Sequence, residues 1–120
     1  LILRGGKDSG PNYQASHIRA AAAALHSQEL PESLIVDCSH GNSEKNHERQ
    51  LDVASDLAGQ ITSGEPAIRG IMMESHLVAG QQSIDASPLT YGQSITDACL
   101  ALPETLAALQ TLAEAVKKKT

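Results

Sequence analysis

Apolar and polar positions fall into alternating blocks along this chain of 120 residues. Leu1 to Leu3 form the apolar end of a strand, and Arg4-Gly5-Gly6-Lys7-Asp8-Ser9-Gly10-Pro11 is a loop dense in helix and strand breakers. From about Asn12 to Glu29, Ile18, Ala21, Ala22 and Leu25 recur on one helical face, and Pro31 closes that connection. Ser33 to Cys38 (SLIVDC) predicts a second short strand, which ends in Ser39-His40-Gly41-Asn42-Ser43. A polar loop and helix follow from about Glu44 to Thr62, with Leu51, Ala54, Leu57, Ala58 and Ile61 as its stripe and Gly64 past its end as a cap. Ile68 to Met73 (IRGIMM) reads as a third strand, buried on both faces, that delivers Glu74, Ser75 and His76 at its end. The next stretch, about twenty residues, is too rich in Gly and Ser for a helix and predicts a long irregular loop, which in a domain of this size is more often functional than idle. Within it, Ser94-Ile95-Thr96-Asp97 has the form of a capping box opening a short helix, Asp97 standing where Glu is usual. Pro103 then opens a last helix whose expected buried face is Leu106, Leu109, Leu112, Ala113 and Val116.

Strand, loop and helix thus recur three times, which implies an α/β fold: parallel strands joined by right-handed crossovers. Three such units leave two bare sheet edges. Either a doubly wound sheet or an eight-unit barrel would supply the missing strands, and in both the polar clusters that follow each strand mark a site at the carboxyl-end face.

Composition narrows the function classes. The chain is 41% hydrophobic and 19% charged, with a formal net charge of −5. Its basic cluster, Lys117 to Lys119, lies at a helix end, where cations complement the helix dipole, so nucleic acid is not an expected partner. No apolar run reaches membrane-spanning length, and no membrane partner is expected. Cys38 and Cys99 have no framework spacing, which points to a reducing cytoplasm. Phe and Trp are absent and Tyr occurs twice, so the aromatic anchors of a self-sufficient core are missing. Together with the first residues, LILRGG, which read as a strand already under way, this marks the chain as the carboxyl-terminal part of something larger.

Three strand ends or following loops bring Arg4, His40 and Glu74 to one face, and Asp97 can fold back over them. His, Glu and Asp together suit a divalent ion such as manganese, iron, cobalt or zinc. Each has a plainer reading beside it. A His at a strand end is more often a hydrogen-bonded packing residue, and Asp97 has its capping box. Glu74 directly after IRGIMM would be a costly partly buried carboxylate without a partner. Arg4 before two glycines offers a fixed guanidinium fork to a phosphate or carboxylate, or pairs with a neighbouring acidic residue. Cys38 would share a strand side with His40 and reads as a small buried filler before a metal ligand. His76 is a candidate to support Glu74 or serve as a spare ligand; His17, His26 and His47 fall in predicted helices and read as solvated, and Met72 and Met73 as core.

The segments LILRGGK, PNY, VDCSHGNS, GIMMESHLVAGQQS and LTYGQSITDAC, in that order, resemble the carboxyl-terminal third of type I 3-deoxy-D-arabino-heptulosonate 7-phosphate (DAHP) synthases, over essentially the whole chain. The resemblance implies a (β/α)8 TIM barrel of which residues 1–120 are the sixth to eighth units, part of a single barrel domain. It places metal ligands on His40, Glu74 and Asp97, sets Arg4 on the phosphate of phosphoenolpyruvate, and gives His40 and Arg4 catalytic roles. The family's fourth ligand, a cysteine near the first barrel strand, matches neither Cys38 nor Cys99, and the Lys-Pro-Arg-Thr stretch that receives erythrose 4-phosphate is not in this chain. The loop Lys7 to Pro11 departs from the family's commonest, shorter form. The implied reaction is condensation of phosphoenolpyruvate with erythrose 4-phosphate with loss of phosphate, the first step of the shikimate pathway, carried out with a divalent ion, manganese first, by a cytoplasmic homo-oligomer, a dimer or tetramer. Two other readings stand beside it: a non-catalytic barrel fragment, and another metal-dependent barrel enzyme using the same His, Glu and Asp.

Overall fold

A computed structural model describes residues 1–119. Strand β1 (Ile2–Leu3), helix α1 (Ala15–Ser27), strand β2 (Leu34–Asp37), helix α2 (Arg49–Thr62) and strand β3 (Ile68–Met72) follow in order. The strands form a parallel sheet in the order β1-β2-β3, with Ile2 opposite Ile35, Leu3 opposite Val36 and Asp37 opposite Met72. Successive right-handed crossovers between adjacent strands put their helices on the same face. One core results: Leu3, Leu34, Val36 and Ile68 from the sheet meet Ile18 and Ala22 of α1 and Val53, Ala54, Leu57 and Ile61 of α2. Leu34, Val36, Ile18 and Leu57 are fully buried, each side chain contributing about 1.5–3 kcal/mol of transfer free energy. Among the described residues no helix covers the opposite sheet face: Ile2 is 60% exposed and Ile35 is 43% exposed. A doubly wound sheet would carry helices on that face as well.

Both helices contain their full apolar stripes but start later than the segments the sequence marks out for them. Asn12 is held in a tertiary bridge, its N–H donating to Asn42 Oδ1 at 2.7 Å and its own Oδ1 accepting the Gly5 N–H at 2.8 Å, so α1 starts three residues later than expected. It ends at Ser27 because Glu29 takes a left-handed conformation (φ 55°) and the Leu30 N–H turns back to Leu25 O. Helix α2 starts at Arg49, five residues beyond Glu44, for a similar reason: Glu44 and Lys45 have φ of 52° and 61°, which a right-handed helix excludes. At its other end Gly64 (φ 98°) caps the helix as the sequence predicts, its N–H donating to Ile61 O.

The long loop is not irregular throughout. Two residues past β3, Ser75–His76 (β4) pair in parallel with Leu100–Ala101 (β7), while Val78–Gln81 (β5) pairs in parallel with Gln93–Ser94 (β6). These small ladders lie outside the three-stranded sheet and tie the loop's beginning to its end. No helix opens over Ser94 to Asp97; the Ser94 hydroxyl instead accepts the Thr96 N–H at 3.1 Å, so the capping-box reading of Asp97 is corrected to a local turn.

Helix α3 (Leu102–Lys118), with Pro103 in its first turn, packs along α2. The face it buries is Thr105, Ala108 and Ala115, with Leu112 partly buried, whereas Leu106, Leu109, Ala113 and Val116 are exposed. This corrects the predicted face. The helix carries two adjacent apolar stripes, and the one with small residues lies against α2 because alanines allow close axial approach. No described helix is long and apolar enough to cross a membrane.

Candidate metal centre

Each side chain of the cluster is positioned by the end of an element. Beyond Asp37 the strand β2 leaves the ladder, and His40 takes a left-handed conformation (φ 51°). That conformation costs a non-glycine residue on the order of 1–3 kcal/mol, and such strain gathers at functional sites. It also breaks strand parity: buried Cys38 and His40 do not share a side as a continuing strand would require, and Cys38 stays in the core. Asp37, buried beneath the turn, accepts the Ser39 N–H on Oδ1 and approaches His40 Nδ1 with Oδ2, each at 2.8 Å. A carboxylate on Nδ1 fixes the imidazole's orientation and turns Nε2 outward.

Nε2 of His40 lies 3.4 Å from Glu74 Oε1 and 3.7 Å from Asp97 Oδ2, and one donor atom from each of the three residues falls within 4.8 Å of the others. Two ligands of one ion at about 2.2 Å can be no more than about 4.4 Å apart, so both measured separations suit a shared ion. Carboxylate oxygens this close repel, and a divalent cation offsets that repulsion. Glu74 is held from behind, its Oε2 accepting the Ser39 hydroxyl at 2.8 Å. Asp97 is the least restrained of the three, 68% exposed on its loop. Burial pushes the Cys38 thiol up to about 12, with Asp37 adding to the effect, and burial also raises Cys99, partly opposed by a hydrogen bond with Ser94. Neither cysteine joins the cluster of His40, Glu74 and Asp97.

Arg4 follows β1 and is exposed, and none of the ion pairs among the described residues includes it. With Ser39, His40, Lys45, His47, Glu74 and Asp97 it lines a cavity of about 480 Å³. Its backbone is set by close packing of two loops: the Gly5 nitrogen is held by Asn12, and Asn42 Nδ2 donates to both Leu3 O and Asp37 O. The loop after Arg4 closes in a turn in which Gly6 and Gly10 exchange N–H···O bonds at 3.0 Å. His76, read as a supporting or spare ligand, is exposed and accepts its neighbour Leu77's N–H on Nδ1; it stands outside the cluster. His47 is not in a helix but half-buried along the cavity, a correction to its solvated reading. Asp37, Ser39 and Gln50 were not singled out from the sequence. Asp37 ends an apolar strand beside a suspected ligand, which was the available signal; Gln50 lies ten residues from His40 on a helix, where spacing gives none.

The family model described as "DAHP synthetase I family" matches residues 1–110. The Phe-sensitive phospho-2-dehydro-3-deoxyheptonate aldolase of Escherichia coli (strain K12) is 48% identical over 120 residues, covering 99% of this chain and 34% of the relative. The Trp-sensitive enzyme of the same strain is 54% identical over 117 residues, covering 97% of this chain and 33% of the relative. A solved phospho-2-dehydro-3-deoxyheptonate aldolase from Francisella tularensis SCHU S4 superposes with a TM-score of 0.94 at 45% identity, over 99% of this chain and 34% of its own. The chain therefore spans about a third of the length of the relatives it matches.

Proposed function

The chain belongs to the DAHP synthetase I family, and from that premise we propose that residues 1–120 are the carboxyl-terminal part of a DAHP synthase, a transferase condensing phosphoenolpyruvate with erythrose 4-phosphate to DAHP and phosphate. The observation that carries this reading is the convergence of His40, Glu74 and Asp97 within 4.8 Å, beside Arg4, in a chain of that family. Three parallel strands with α1, α2 and α3 on one face agree with the sixth to eighth units of a (β/α)8 barrel, in which sites lie at the carboxyl ends of the strands. The full-length protein would supply the remaining strands and contacts, work in the cytoplasm, and assemble as a dimer or tetramer.

His40 Nε2, Glu74 Oε1 and Asp97 Oδ2 would hold the divalent ion, manganese first among manganese, iron, cobalt and zinc. When bound, the ion supplies Lewis acidity toward the aldehyde oxygen of erythrose 4-phosphate. Asp37 keeps His40 in one orientation, and Ser39 keeps one Glu74 oxygen occupied so that the other faces the cluster. Arg4 presents its planar fork to the phosphate of phosphoenolpyruvate, neutralising charge and orienting the substrate in the cavity it shares with the cluster.

The test uses the full-length protein. Phosphoenolpyruvate consumption should require erythrose 4-phosphate, cease on chelation and return with manganese; His40→Ala should abolish it. Undiminished turnover by chelated enzyme or by His40→Ala would overturn the reading. The bare sheet face favours a second statement about the chain by itself, that it is non-catalytic when separated from the rest.

A further inference from the structure

Glu74 stands where the parallel ladder loses a strand. The last pairing of β2 with β3 runs from the Cys38 N–H to Met72 O at 2.8 Å, after which β2 turns away through Ser39 and the left-handed His40. The main chain of Glu74 therefore has no β2 peptide beside it. The side chain of Gln50 takes that place. It is fully buried in the first turn of α2; its Oε1 accepts the Glu74 N–H at 2.8 Å, and its Nε2 donates to Glu74 O at 3.3 Å. A primary amide offers the same donor and acceptor as a peptide unit, so it continues the ladder by one rung. On the other side of Glu74, its carbonyl also accepts the Leu100 N–H at 3.0 Å. Burying an amide of this size without partners is costly, and here both of its polar atoms are used on a single residue.

We infer that Gln50 is the positioning residue for Glu74: by standing in for the departed strand it fixes the Glu74 main chain, so that the carboxylate reaches the cluster with one oxygen toward Ser39 and the other toward His40. This rests on the reading of Glu74 as an ion ligand. The geometry makes the ion site dependent on α2, an element that contributes no ligand to it, and separates the roles of two supports. Asp37 orients the imidazole, and Gln50 sets the height and direction of the carboxylate.

The experiment is calorimetric titration of manganese into the metal-free full-length protein, for the wild type, Glu74→Gln, Gln50→Met and Gln50→Asn, each first checked for native circular dichroism and melting. Gln50→Met keeps the volume and removes both hydrogen bonds; Gln50→Asn keeps the amide on an arm one methylene too short, and serves if the Met variant does not fold. Both should bind manganese about ten- to a hundredfold more weakly, the usual effect of losing a group that orients a ligand. A folded Gln50 variant with lowered melting temperature and wild-type manganese affinity would show a role in stability alone and overturn the inference. Wild-type affinity in Glu74→Gln would instead remove Glu74 from the site, so the two failures are distinguishable.

Discussion

Arg4 and Cys38 mark two opposite fates of residues at strand ends. Arg4 is exposed on the rim of the cavity, and its proposed role there calls on the planar fork as well as the charge. Arg4→Lys in the full-length enzyme is expected to lower kcat/KM for phosphoenolpyruvate by roughly ten- to a hundredfold, about 1.5–3 kcal/mol of charge-assisted hydrogen bonding, while manganese affinity stays unchanged. Steady-state kinetics beside a manganese titration measure both; unchanged kinetics would take Arg4 out of the site. Cys38 is fully buried with its thiol pushed up to about 12, whereas Cys99 is half-buried with a smaller rise. Thiolate is the reactive form, so alkylation of the native protein followed by peptide mapping should label Cys99 first and Cys38 only on unfolding. Prior labelling of Cys38 in folded protein would contradict its place in the core. At this scale the sequence points to His40 and Glu74 by residue type and their place at or just after a strand end, and to Asp97 by residue type on the long loop. It could not show Asp37 or Gln50 at work, because a residue that supports another is defined by a contact that spacing does not encode.

The element ends, more than their centres, position the site. Gly5 has φ 72°, and a Cβ there would lie 2.6 Å from the Gly41 carbonyl carbon and 2.7 Å from the Asn42 nitrogen. Both neighbours are backbone and cannot rotate away. Gly5→Ala is expected to cost at least about 1–2 kcal/mol from the left-handed conformation alone, to lower the melting temperature, and to raise KM for phosphoenolpyruvate by displacing Arg4. A variant with wild-type melting and KM would mean that the two loops can separate freely. The stripes of α1 and α2 were legible because each has a single apolar face, whereas α3 has two. Periodicity counts apolar positions; it does not say which of two neighbouring stripes meets a partner.

Viewed whole, the chain is a slab of 53 × 33 × 19 Å with a radius of gyration of 15.7 Å, against about 14 Å for a compact domain of this length. One face of the sheet and the outer stripe of α3, with Leu106, Leu109 and Val116, are apolar and exposed. Residues 1–120 expressed alone are therefore expected to self-associate and to show no synthase activity with manganese and both substrates. Sedimentation beside a phosphoenolpyruvate assay tests this, and turnover by a monodisperse monomer would refute it. By itself the sequence determined the α/β order, the two single-faced helices and the residue types of the cluster, because apolar period, breakers and strand-end polarity are local properties written residue by residue. Only the tertiary structure decided that the helices share one face of the sheet, that the loop after Glu74 folds into two small ladders, that α3 turns its alanines to α2, and that Asp37 and Gln50 stand behind His40 and Glu74. These depend on which distant segments meet, and burial and hydrogen-bond satisfaction select among pairings that local pattern leaves equivalent.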